Sequence, residues 1–210
     1  VDAYLAVLML MGGLAAAAYG VSTVLRLRSE ETGTLAEPIL AGTSGRLRWG
    51  LSHLAVAVTG AATLLAVGGI AAGLGYGLAA SSDPGGSGSG AGPAGASGVT
   101  AGGEIPRLLG AGIAQLPAAC VIIAVAMLAF GLVPRAAVAA GWTAFGLPLV
   151  LSLFGSSLRL SHWVLDVSPF THSPRLPGSL VTAAPLLWLS LIAVALAAAG
   201  LAALRRRDIG

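Results

Sequence analysis

The residue types best suited to chemistry crowd into one stretch, 155–179, which holds His162, Trp163, Asp166, His172 and Arg175. Histidine and aspartate are zinc ligands and acid–base groups. A zinc site needs three or four converging ligands, and His, Asp, His at spacings of four and six residues is too loose to specify one. A serine nucleophile is the other hydrolytic option, but Ser168-Pro169 has no strand-to-helix elbow and no base set beside it. The competing reading is interfacial. Leu158, Leu160, Trp163, Val164 and Phe170 supply an apolar face with a tryptophan suited to headgroup depth, and Pro169, Pro174 and Pro177 interrupt any helix. No catalytic or metal-binding residue is assigned, and the stretch is read as an interfacial segment.

The second group of ionisable residues is Glu30, Glu31 and Glu37, in a loop bounded by Arg26, Arg28, Arg46 and Arg48. Thr34 and Glu37 have capping-box spacing, which predicts a helix starting near Thr34. Pro38 falls in its first turn and Gly42 supplies a stop. Such a helix of about two turns carries Leu35, Ile39 and Leu40 at the membrane surface. Composition leaves two readings open: a docking element for a protein partner, or a reversing loop whose leucines dip into the interface. Elsewhere the chemistry is sparse. Cys120 is single and lies in an apolar run. No glycine-rich phosphate loop occurs, so no nucleotide chemistry is expected in this chain. His53 reads as an interfacial or packing histidine.

The elements that must position these residues are membrane helices. The chain has 210 residues, of which 56% are hydrophobic and only 9% charged, and its mean hydropathy is +0.91. A soluble surface needs about a quarter of its residues charged, so a soluble domain is excluded. The net charge of +3 comes from arginine alone, and the arginines flank apolar runs rather than forming a stripe, which excludes nucleic-acid binding. Runs near 3–25, 50–80, 105–133, 136–154 and 180–203 each reach the roughly 20 apolar residues that cross a bilayer. Pro117 is expected to divide the third. The expected fold is an all-α multi-pass protein of the cell membrane, one transmembrane domain over 1–210. It has a cytoplasmic loop at 26–48, a disordered Gly/Ser-rich external loop at 81–103 and the external segment at 155–179.

Arginine counting orients the bundle. With the first helix running inward, Arg26, Arg28, Arg46, Arg48, Arg135, Arg205, Arg206 and Arg207 are cytoplasmic, while Arg107, Arg159 and Arg175 are external. The N-terminus is then outside and the C-terminus cytoplasmic. A first run without a basic flank or cleavage site suggests a start inside a larger fold. Gly12, Ala16 and Gly20 share one helix face, as do Gly69, Gly73 and Gly77, a pattern that favours close helix packing. No Asp, Glu, Lys or Arg lies near the middle of a span, so an ion-coupled carrier is disfavoured.

Three segments resemble one family. Glu30-Glu-Thr-Gly-Thr-Leu-Ala-Glu37-Pro-Ile-Leu-Ala41 looks like the coupling-helix segment of type-2 ABC exporter permeases. Asp166-Val-Ser-Pro-Phe-Thr-His-Ser-Pro-Arg-Leu-Pro-Gly178 is similar to the pattern in actinobacterial polyketide-antibiotic (tetronasin-type) exporters, and Arg205-Arg-Arg-Asp-Ile-Gly210 resembles their ending. One departure is Thr43-Ser-Gly-Arg46, where family members often have Pro-Val-Ser-Arg. The resemblance covers the chain as the C-terminal half of such a permease. It implies that Glu30, Glu31, Gly33, Thr34, Leu35, Glu37, Pro38, Ile39 and Leu40 couple to an ATPase, and that Trp163, Asp166, Ser168, Pro169, Phe170 and His172 belong to an external lid. The implied partners are a cytosolic ABC ATPase dimer, which would hold ATP and Mg, and the N-terminal half of the permease or a second permease copy. The implied function is export of hydrophobic or amphipathic compounds. The alternatives are a membrane-embedded enzyme using the external His and Asp residues, and a non-transporting scaffold.

Overall fold

A computed structural model describes residues 2–32, 45–81, 101–154, 168–172 and 183–206. Six helices occur among them: α1 (Asp2–Thr32), α2 (Arg46–Ser81), α3 (Ala101–Ile113), α4 (Leu116–Leu132), α5 (Ala137–Phe154) and α6 (Ala183–Arg206). Short 3-10 turns occupy Pro134–Ala136 and Pro169–His172. Five segments are long and apolar enough to cross a membrane, with α3 and α4 together making the third.

Packing contacts fix the helix directions. On α1 and α4, Gly13 meets Gln115 and Gly20 meets Ile123, so these helices run parallel. On α4 and α6, Gly131 meets Gly200, and the wall shared by Pro117 to Ala124 with Ser190 to Ala197 keeps the same sense. Helix α2 is antiparallel to α1, since Gly60 meets Tyr19 and Trp49 meets Glu30. Helix α5 is also antiparallel to α1, with Gly141 facing Val21 and Leu25. One end of the bundle therefore gathers Arg26, Arg28, Arg48, Arg135, Arg205 and Arg206, as arginine counting predicts.

Helix α4 is the centre. The third span is 56% buried within the chain, against 22% for the spans of α2, α5 and α6, so those three give most of their surface to surroundings outside this chain. Ile122, Ile123, Met127 and Phe130 of α4 are fully enclosed. Lipid is as apolar as leucine, so this enclosure gains dispersion contacts rather than hydrophobic free energy. Small residues make it possible. A Cβ on Gly200 would lie 2.8 Å from the Leu128 amide nitrogen and 2.9 Å from the Met127 carbonyl carbon. The Gly69 and Gly73 face works in the same way: their Cβ positions fall 2.8 Å from Leu109 Cα and 2.7 Å from Ile105 Cα of α3. The Gly69 and Gly73 face thus serves packing within the chain.

One expected break is present, and one boundary differs from the hydropathy reading. The third span breaks at Ala114–Gln115, just before Pro117, which sits in the first turn of α4. Proline has no N–H for the carbonyl of Ile113, so the helix cannot pass through uninterrupted hydrogen bonding. Helix α1 continues through Arg26–Thr32, which hydropathy assigned to the loop. Its 31 residues span roughly 46 Å, against a hydrocarbon core of about 30 Å. The charged end therefore projects as helix, leaving 33–45 as the link to α2.

Candidate functional site

The arginine-rich end is held by a polar clasp. Glu30 and Glu31 lie in the last turn of α1, where the helix dipole disfavours negative charge. Each carboxylate has a compensating partner. Trp49 Nε1 donates to Glu30 Oε2 at 3.1 Å, and His53 Nε2 lies 3.2 Å from the same oxygen. Arg28 pairs with Glu31 at 3.6 Å. Trp49 is buried, and its ring meets His53 and Phe130 edge-on, with centroids 5.9 Å and 6.3 Å away. Trp49 and His53 are one helical turn apart on α2, so both face Glu30. The clasp ties together the two helices flanking 33–45 and joins them to α4 through Phe130. Of the residues expected to couple to a partner, Gly33, Thr34, Leu35, Glu37, Pro38, Ile39 and Leu40 lie outside the described residues.

At the opposite end, the described part of the external segment is the turn Pro169–His172 with Ser168 before it. The Ser168 carbonyl accepts from the Thr171 amide at 3.2 Å and the Thr171 hydroxyl at 2.6 Å, with His172 Nδ1 at 3.3 Å. His172 is thereby engaged in its own turn. Phe170 points inward and is buried, its ring edge against Gly13 of α1, beside Gln115 at the break in the third span. The turn also touches α5 and α6. Trp163 and Asp166, with His162, lie outside the described residues. Among the described residues, no three His, Cys, Asp or Glu side chains come together as a metal site.

Arg107 closes the end of the third span that lies away from the arginine-rich end. It donates to Asp2 of α1 at 3.0 Å and to Glu104 at 3.2 Å, pinning α3 to α1. Between the ends, apolar grooves open among the described residues. One of about 450 Å³ lies between α1, α2 and α3, lined by Met9, Gly12, Leu65 and Gly112. Another, about 260 Å³, lies between α2, α4 and α6, lined by Leu54, Pro117, Cys120 and Val194.

Sequence reasoning passed over Trp49, noted Gln115 only as a polar residue within a span, used Arg107 only to orient the bundle, and read His53 only as interfacial or packing. The Trp49/His53 spacing was a usable signal, because two polar-tipped rings one turn apart at a span entry need a common acceptor. Gln115 had a fainter one: a long polar amide two residues before a proline inside an apolar run.

Comparison with known proteins places this geometry in context. The family model described as the C-terminal domain of multidrug efflux system permease Rv1217c matches residues 1–92 and 85–205. A curated relative, the multidrug efflux system permease protein Rv1217c of Mycobacterium tuberculosis, is 40% identical over 208 residues. That alignment covers 99% of this chain and 34% of the relative, so the chain spans about a third of that protein's length.

Proposed function

The chain belongs to the family of the C-terminal domain of multidrug efflux system permease Rv1217c, and from that membership we propose that it is the membrane-spanning part of an ATP-driven exporter. The observation that carries the reading is its 40% identity to an efflux permease along nearly its whole length. The cargo is hydrophobic or amphipathic, in keeping with grooves walled by Leu, Met, Val and Gly. A polyketide-type antibiotic is the finer assignment, supported by the Ser168–His172 motif. Apolar walls discriminate weakly between such compounds.

ATP binds a separate cytosolic ABC ATPase dimer, which closes and pushes on the 33–45 link from the arginine-rich, cytoplasmic side. The Glu30–Trp49–His53 clasp makes the flanking ends of α1 and α2 move together and passes the movement to α4. The other half of the pathway comes from the N-terminal half of the permease or from a second copy, covering faces that α2, α5 and α6 leave exposed. Charged residues stay at the ends of the spans, so the driving force is assigned to the ATPase rather than to an ion bound in mid-membrane.

The test is co-purification of the full-length permease in mild detergent, wild type against Leu35→Asp. The expected result is an ATPase subunit that accompanies wild type and is depleted from the variant. A well-folded permease free of ATPase in both preparations rejects the proposal.

A further inference from the structure

We infer that Gln115, at the break in the third span, is a cargo-binding residue that takes an N–H or O–H donor of an amphipathic compound, with Phe170 as the stopper covering it at rest. The inference rests on the exporter reading and adds a recognition site to it.

Five hydroxyls along the described membrane helices are bonded within their own helix. Ser22, Thr23, Thr59, Thr63 and Ser190 each donate to a carbonyl one turn earlier in their own helix, at 2.7 to 2.9 Å. Such back-bonding commits each hydroxyl proton and gives its oxygen a hydrogen bond within the fold. Gln115 differs. It is only 4% exposed, yet its Oε1 has no hydrogen-bond partner among the described residues. It caps the start of α4 by position but makes no side-chain cap bond. Ser168, fully buried, likewise leaves its Oγ unpartnered.

These two unpartnered atoms belong to one locality. The Cβ position on Gly13 is 3.0 Å from both Gln115 Cβ and Phe170 Cε1, so the amide-bearing side chain and the stopper ring share a point of α1. Ser168 is two residues from that ring, on the same turn. Gly13 lies eleven residues along α1 from Asp2, or roughly 16 Å along the helix axis, within the first candidate span. A buried amide oxygen without a donor there costs free energy with nothing in the resting fold to offset it. A compound whose N–H or O–H reaches the site supplies the missing donor. The break in the helix is what allows it, since an uninterrupted span would pack Gln115 like its neighbours. Phe170 meets the site from the described turn Pro169–His172, which also packs on α4, α5 and α6.

The test uses two dyes with one skeleton: an amino-rhodamine methyl ester bearing N–H donors, and its tetra-N-methylated counterpart, which has none. Their binding to the full-length permease in nanodiscs is measured for wild type, Gln115→Leu and Phe170→Ala. Wild type should bind the N–H dye about fivefold more tightly than the methylated one, the worth of one neutral hydrogen bond. Gln115→Leu should abolish that preference, leave the methylated dye's affinity unchanged, and melt no lower than wild type. Phe170→Ala should speed association of the N–H dye about fivefold by raising the open fraction. A preference that survives Gln115→Leu, or is absent from wild type, overturns the site. An unchanged association rate in Phe170→Ala removes the stopper. Cellular efflux of both dyes is read in parallel. No efflux with an intact binding preference defeats the exporter reading and leaves the site standing; efflux with no preference does the reverse.

Discussion

Glu30 shows how one carboxylate can set the behaviour of a whole interface. In the last turn of α1 it is poorly placed for the helix dipole, and it is tolerated because Trp49 and His53 meet it from α2. Removing it leaves the buried Trp49 indole N–H without its acceptor, a loss of about 1–3 kcal/mol. Glu30→Ala is therefore expected to lower the thermal transition and to reduce the ratio of compound moved to ATP hydrolysed. Trp49→Phe should reproduce the coupling defect while keeping the ring contact with Phe130. Equal coupling ratios for wild type and both variants would remove the clasp from the transmission path. Arg107 plays the corresponding part at the opposite end, holding Asp2 and Glu104 together.

At the scale of elements, contact between helices depends on backbone approach. Gly200 of α6 sits where any Cβ would press on the Met127–Leu128 backbone, so Gly200→Leu should cost about 1–3 kcal/mol by overpacking. The check is the melting temperature of the full-length permease in detergent; a transition matching wild type would mean that the helices do not meet there. Much of this layer was legible in the sequence. Five spans follow from hydropathy alone, the Gly69/Gly73 face foretold the seam between α2 and α3, and Pro117 marked the break. The extension of α1 to Thr32 was not legible, because hydropathy registers where lipid ends rather than where a helix ends. Residues 26–32 stay helical through partners on another helix. The inward placement of Phe170 was also hidden, since a three-proline segment read from sequence does not say which side chain turns to the core.

For the whole molecule, the alternating helix directions collect the arginines at one end, and the positive-inside rule predicts that this end is cytoplasmic. In a Cys120→Ala background, a cysteine replacing Asp2 is expected to react with a membrane-impermeant maleimide in intact cells, and one replacing Arg135 only after permeabilisation. The reverse pattern would invert the topology. The exposed faces of α2, α5 and α6 are apolar surfaces that lipid or a further helix can cover. The most direct test of ATP-driven export is dye accumulation in inside-out vesicles carrying the full-length permease and its ATPase. The expected result is uptake that requires ATP hydrolysis and persists when a protonophore collapses the proton gradient; uptake abolished by the protonophore, or absent with ATP, would contradict it.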